Sequence, residues 1–331
     1  MSGAPVNEPL YDVVGVGNAL VDVISHADDH FIHHHELVKG SMTLVDTDRA
    51  LYLYRALGTA VEMSGGSAAN TMTGVASFGG RAAYIGKVSD DELGEVFGHD
   101  LRAVGVHFRP GHAEADVPTG RCIIVVTPDA QRTMNTYLGV SSLLKPTDID
   151  EATVAAGAVL YMEGYLYDRP EAKEAFRHRG RHRPRQRAAG QPDAQRLLLR
   201  GPPPRRLPAL VTDEVDLLFG NEAELLSLYQ VDSFDEAVAR VRHDCHMAVI
   251  TIGADGCVIV TPDDVHRAPA EPVHQVLDTT GAGDLFAAGF LFGYTRGRQL
   301  DECAKLGAIA AAEVISHVGP RPLVELKTLL P

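Results

Sequence analysis

The chain has 331 residues, 45% of them hydrophobic, and a formal charge of −14, enough apolar material for one large α/β domain. Its acidity argues against a nucleic-acid partner, and no apolar run of about 18 residues exists to cross a bilayer. The opening MSGAPVNEPLYD has neither the basic nor the apolar region of a signal peptide, and four scattered cysteines (Cys122, Cys245, Cys257, Cys303) form no C-x-x-C pair, so a cytoplasmic protein with reduced thiols is expected.

In chain order, YDVVGVGNALVDVI starts as a buried β-branched strand and breaks at Gly15 and Gly17. EMSGGSAANTMTGVASFGG reads as a glycine turn feeding a helix of small residues, and AAYIGKV as a strand. In SDDELGEVFGHDLRAVG, Ser89 followed by Glu92 predicts a capping box at a helix start. GRCIIVVTPDAQRTMNTYL predicts a hairpin turning at TPDAQ. AGAVLYMEGYL and DEVDLLFGN read as strands, EAELLSLY as a helix, and MAVITIGADGCVIVTP as two strands about a glycine turn. GAGDLFAAGFLFGYTRG and DECAKLGAIAAAEVISHVG close the chain as helices. This alternation predicts an α/β fold, a mostly parallel sheet covered by helices on both faces. Short alternating strands at about 23–46 and 106–140 predict a small β element standing apart from it.

Three tempting patterns fail. GVGNAL at 15–20 has Leu20 where a dinucleotide fingerprint needs its third glycine, there is no G-x-x-x-x-G-K-[ST], and adjacent His33, His34 and His35 diverge on any one element. The strongest chemical signal is DTTGAGDLFAAGF at 278–290. Gly281, Ala282 and Gly283 leave backbone N–H groups bare at the positive end of a helix, a site for anions. Asp284 directly after them opposes a bound phosphate, but is apt if it takes a proton from a hydroxyl while the N–H groups stabilise a transferring phosphoryl group. The bland alternative is a tight turn capped by an aspartate.

DTTGAGD together with GGSAANTMTGVASFGGRAAYIGKVSDDELG resembles the two signatures of the PfkB/ribokinase family of carbohydrate and nucleoside kinases, over about residues 10–177 and 209–322. GNALVD, RTMNTYLG and SHVGPRP look most like its adenosine-kinase-like branch. The resemblance implies a single ribokinase-like domain over 1–331, with 23–46 and 106–140 as a lid that closes over the sugar and excludes water. It implies ATP and Mg²⁺, Asp284 as the base for the acceptor hydroxyl, and 281–283 as the anion hole. Asp22 would hold two sugar hydroxyls, with Gly65, Gly66 and Asn70 lining the sugar and Asn135 and Glu163 as further substrate-side candidates. Asn221 and Glu224 of NEAE would serve magnesium and phosphate through water, and Thr251, Gly253 and Gly256, with Asn221, would contact ATP. A monovalent cation such as K⁺ would sit near Asp278, Thr280 and the 316–319 loop. Standing alone, Asp22 reads as a turn residue, NEAE as an acidic helix cap and TIGADG as a hairpin. The implied activity is phosphorylation of a nucleoside 5′-hydroxyl, adenosine foremost; a free-sugar kinase and a binding protein without turnover are the alternatives. A monomer and a lid-mediated homodimer both fit.

One stretch does not belong to this pattern. Residues 176–208, FRHRGRHRPRQRAAGQPDAQRLLLRGPPPRRLP, hold ten of the chain's 24 arginines and one acid, so they carry +9 while the rest carries −23. A phosphate-binding arm belongs at a terminus, and thirty structureless residues do not suit the middle of a compact domain. The segment has the length of the helix, strand and loop that the βαβ rhythm requires. Back-translated with GC-rich codons and shifted by one base, 179–208 can read as a small-residue helix followed by a period-two strand. The expectation is a pair of compensating single-base changes near codons 178–179 and 208–209, and a chain that, as written, loses a core strand.

Overall fold

The computed structural model describes residues 9–110, 116–129, 131–164, 196–200 and 215–330. Among these residues fourteen strands run in chain order. They are β1 (Tyr11–Val16), β2 (Leu20–His26), β3 (Met42–Leu44), β4 (Ala60–Gly65), β5 (Ala82–Ile85), β6 (His107–Phe108), β7 (Gly120–Val126), β8 (Arg132–Tyr137), β9 (Gly157–Glu163), β10 (Arg196–Arg200), β11 (Leu217–Asn221), β12 (Met247–Thr251), β13 (Cys257–Val260) and β14 (Val265–Ala268). Nine of them form one sheet in the order β14-β13-β12-β11-β10-β9-β1-β5-β6, and five form a second, β3-β8-β7-β2-β4. The large sheet is parallel from β6 to β12 and closes on an antiparallel edge, β12-β13-β14.

Strand alternation sends neighbouring residues to opposite faces of the large sheet. Val13, Tyr161, Phe219 and Val249 join one core with the helices Ser67–Ser77, Ala282–Tyr294 and Leu300–Ile315, through residues such as Met72, Phe290 and Ala304. Leu218, Ile250 and Val258 pack with Leu225 and Val241 of the helices Glu222–Tyr229 and Phe234–Asp244, and Val14, Leu160 and Met162 pack with Val154 on the same side. Both faces are therefore covered, as the alternation of elements predicts. The hairpin at TPDAQ also forms, pairing β7 with β8 antiparallel.

Three elements differ from those the sequence predicts. The small sheet takes β4 and all of β2, so it begins before residue 23 and includes 60–65; β6 at 107–108 pairs instead with β5 in the large sheet. Short strands carry too little periodic signal to assign them to one sheet or the other. The helix Glu92–Ala103 is capped by Asp91, whose carboxylate accepts from Gly94 N–H, while Ser89 Oγ is drawn to Val117 O. An aspartate one residue before the helix outcompetes the more distant serine for its bare N–H groups. Finally, the backbone of Arg196–Arg200 forms β10, a parallel strand between β9 and β11, so the strand expected to be lost is present. The remainder of the 178–208 reading lies outside the described residues.

Candidate active site

The parallel strands set the site by ending at one edge. β1 leads into Gly17 and Asn18, β9 ends at Glu163, and β11 and β12 end side by side at Asn221 and Thr251, which pair in register. Loops beyond the carboxyl ends of parallel strands are where α/β sheets place their ligands. Glu163, fully buried, clamps two of these loops: Oε2 accepts from Asn18 N (3.0 Å) and Nδ2 (3.1 Å), and Oε1 accepts from Ala68 N (2.7 Å). Burial pushes its carboxyl up to about 7 against the pull of those N–H donors. Glu163 thus holds the loop after β1 to the start of the helix Ser67–Ser77.

Asp284 lies in the first turn of the helix Ala282–Tyr294, whose N-cap is Gly281 at φ +77°. A side chain is disfavoured there, and an added Cβ would lie 2.9 Å from Pro320. Asp284 is buried, and it accepts from Ser67 Oγ (2.6 Å) and Asn70 Nδ2 (3.0 Å). Asn70 therefore touches the acid itself. Its buried Oδ1 has no hydrogen-bond partner among the described residues, which leaves an acceptor for an incoming group.

Asp22 comes from the small sheet and stands over Gly65. A Cβ at Gly65 would lie 2.4 Å from the Asp22 carboxyl carbon, so only glycine permits this approach. Gly66, next in line, caps the helix Ser67–Ser77. Burial pushes Asp22 up to about 7; Arg321 and Arg132 lower it, and Asp284 raises it further. The two aspartates and the glycine pair are thus gathered at one place, as the motifs imply.

Pairing partners in a sheet share a face. Asp22, Cys122, Thr136 and Met63 are partners on one face of the small sheet, followed outward by Ile24, Ile124, Met134 and Val61. Asn135 is paired with Ile123 and so lies on the opposite face, with the core. Its substrate-side placement is corrected: the period of two gives that face to its neighbours Met134 and Thr136.

Arg132 shares the face of Asp22 and was not singled out from the sequence. It pairs with Asp278 and donates from Nη1 to Thr280 Oγ1 at 3.2 Å. Asp278 also accepts from Thr280 N (2.9 Å) and Gly319 N (2.8 Å). The charge of Asp278 is thus balanced by a guanidinium, at the place the resemblance gives to a monovalent cation. Arg321, Ser67 and Asn18 are further residues missed from the sequence. For Arg132 a signal existed, since it lies two residues before Met134 on an alternating strand.

Asn221 and Glu224 form a reciprocal capping box: Asn221 Oδ1 accepts from Glu224 N and Glu224 Oε2 accepts from Asn221 N, both at 2.8 Å. These oxygens serve the helix start, so the pair is suited to a hydrated ion rather than to direct coordination. Among the described residues no group of three or more His, Cys, Asp or Glu could hold a metal. Thr251, Gly253 and Gly256 lie on the turn joining β12 to β13, and a Cβ at Gly256 would run into the carbonyl of Ala268.

Residues 42–326 match the pfkB family of carbohydrate kinases. A crystal structure of adenosine kinase from Sinorhizobium meliloti is 46% identical, covers 97% of this chain and 98% of that one, and superposes with a TM-score of 0.87. A probable sugar kinase from Rhizobium etli is 42% identical over 97% of this chain and 98% of its own, with a TM-score of 0.86. Adenosine kinase 1 of Arabidopsis thaliana is 26% identical, covering 93% of this chain and 94% of that protein.

Proposed function

Because the chain belongs to the pfkB family of carbohydrate kinases, in its adenosine-kinase-like branch, and is an ATP-dependent kinase, we propose that its acceptor is the 5′-hydroxyl of a nucleoside, adenosine foremost. The observation that carries this reading is the face of the small sheet that bears Asp22. Beside the carboxylate stands Met63, and beyond it the face continues as an apolar strip of Ile24, Ile124 and Met134, with Met42, Leu44 and Val61 exposed at its margin. A free pentose held at Asp22 offers no apolar group to cover the exposed margin of this face, Met42, Leu44 and Val61. A nucleoside places its ribose on Asp22 and its flat, apolar base on the strip. We read the exposed part of this face as a base platform and the small sheet as the lid over the acceptor, rather than as a homodimer surface.

Asp284 would accept the proton of the 5′-hydroxyl as that oxygen attacks the γ-phosphorus of ATP. Ser67 and Asn70 fix its two oxygens, so the carboxylate meets the hydroxyl without reorganising. The N–H groups at 281–283 would stabilise the charge on the transferring phosphoryl group, with Arg132 adding a cation from the lid. Asn221, Thr251, Gly253 and Gly256 fit the nucleotide side, at neighbouring strand ends. Magnesium, carried by the ATP phosphates and held through water near Asn221 and Glu224, would neutralise phosphate charge. The test is coupled ADP release with adenosine, inosine, ribose and fructose. Turnover highest with adenosine supports the reading; turnover with the free sugars alone moves the acceptor to a sugar, and none with any of the four indicates a binding protein.

We further propose that residues 178–208 are out of frame. Nine arginines in this segment, flanked by an otherwise acidic chain, support this. Resequencing the locus is expected to reveal single-base differences near codons 178–179 and 208–209. A clean read of the present frame at both ends would sink the idea.

A further inference from the structure

Three consecutive residues near the end of the chain, Gly319, Pro320 and Arg321, each touch a different part of the site. Gly319 N donates to Asp278 Oδ2 at 2.8 Å, in the loop that precedes the anion hole. Pro320 packs against Gly281 so closely that no Cβ fits between them. Arg321 turns to the acceptor side. Its Nε and Nη2 donate to Ser64 O at 3.0 and 2.7 Å, and Nη2 also donates to Ser64 Oγ at 2.9 Å. Nη1 donates to Ala69 O at 3.0 Å and to Thr73 Oγ1.

We infer that Gly319–Pro320–Arg321 is a positioning strap that sets the acceptor floor against the anion hole, with Arg321 as the residue that fixes the acceptor side. Ser64 immediately precedes Gly65, over which Asp22 stands. Its N–H is held by Asp100 Oδ2 at 2.8 Å and its C=O by the Arg321 fork, so the backbone of Ser64 is fixed on both sides of its Cα as it enters the glycine pair. A lysine in place of Arg321 could not make this planar, forked set of bonds. The strap itself is pinned farther along, where Glu313 Oε1 accepts from Leu323 N at 2.9 Å and Ser77 Oγ accepts from Leu326 N at 2.8 Å. One short segment therefore spans both reacting partners, and small shifts between such partners weaken catalysis strongly.

Arg321 has a second consequence through its charge. The charged groups acting on Asp22 are Arg321, Arg132 and Asp284. Cys122, its partner in the sheet, is kept a neutral thiol by burial. Of the two cations, Arg321 lowers Asp22 more, opposing the burial that raises it. Removing that cation should therefore make Asp22 harder to ionise and move any acceptor-binding profile to higher pH.

The strap proposal rests on the nucleoside-kinase reading, and its test keeps the two apart. Nucleoside KM, ATP KM and the pH midpoint of kcat/KM for the nucleoside are measured for the parent, Arg321→Met and Arg321→Lys. Arg321→Met is expected to raise nucleoside KM by about tenfold or more while ATP KM stays within about twofold, and to move the midpoint upward. Arg321→Lys should raise nucleoside KM but keep the midpoint near the parent's, because the charge remains. Parental nucleoside KM and midpoint in folded Arg321→Met would overturn the proposal. Should that variant fail to fold, Arg321→Lys decides: raised nucleoside KM with unchanged ATP KM supports the strap, and parental values overturn it. A parent that turns over no nucleoside removes the acceptor reading instead.

Discussion

Asp284→Asn is expected to lower kcat by about 10³-fold while leaving the nucleoside dissociation constant within about threefold of the parent's. Asparagine has nearly the same shape but cannot take a proton from the attacking hydroxyl. Its packing survives because the amide can satisfy both neighbours: Oδ1 accepts from Asn70 Nδ2, and Nδ2 donates to the Ser67 hydroxyl, which can rotate. Thermal stability should therefore stay close to the parent's. Turnover within tenfold of the parent would remove Asp284 from the proton transfer. A lost nucleoside affinity with kcat unchanged would make it a binding group only.

The second large effect concerns Asp22. Asp22→Asn is expected to raise nucleoside KM by about 10- to 100-fold, the loss of one hydrogen bond to a charged acceptor worth about 1.5–3 kcal/mol. The carboxylate can accept from two sugar hydroxyls, whereas the amide offers only one acceptor oxygen. The same group should give kcat/KM for the nucleoside a rise with pH through about 7, the value to which burial pushes Asp22. Below that pH the carboxyl carries a proton and loses acceptor capacity; above it the profile levels off. Stability should move the other way. The folded pKa lies above the unfolded one, so between about pH 4 and 7 the folded state binds the extra proton, and stability from this group declines as pH rises through that window. Asp22→Asn should show a shallower decline, Glu163 still contributing its own, and gain thermal stability over the parent at pH 8. A pH-independent kcat/KM between 5.5 and 8.5 would contradict both parts.

Much of this site was legible because its residues lie in short contiguous motifs. Asp284 with 281–283, and Gly65 and Gly66 with Asn70, sit at helix starts, where bare N–H groups make spacing informative. What the sequence could not show was side-chain reach across the fold. Arg132 meets Asp278 from 146 positions away, and Arg321 meets Ser64 from 257; strand alternation gives the face of Arg132 but not its partner, and nothing local marks Arg321. Asn135 was misplaced because a motif names adjacent residues together, while a strand sends them to opposite faces. The motif around Glu163 implies a substrate-side residue, yet its oxygens hold Asn18 and Ala68. Its position at the end of a strand was legible, and its partners were not.

The small sheet was half legible for a related reason. The strong hairpin β7–β8 announces itself by its turn and its alternation, but β4 pairs antiparallel with β2 across a gap that contains two helices. Register over such a distance is fixed by burial, with Val21 and Val23 turned to the core, rather than by any local signal.

The proposed activity is one transfer: a phosphoryl group moving from ATP to a nucleoside 5′-oxygen. Phosphorus NMR of the protein, its mass verified, with ATP, Mg²⁺ and adenosine should show a new phosphomonoester at the 5′ position growing in step with ADP. ATP left unchanged, or converted only to ADP and free phosphate, would contradict it.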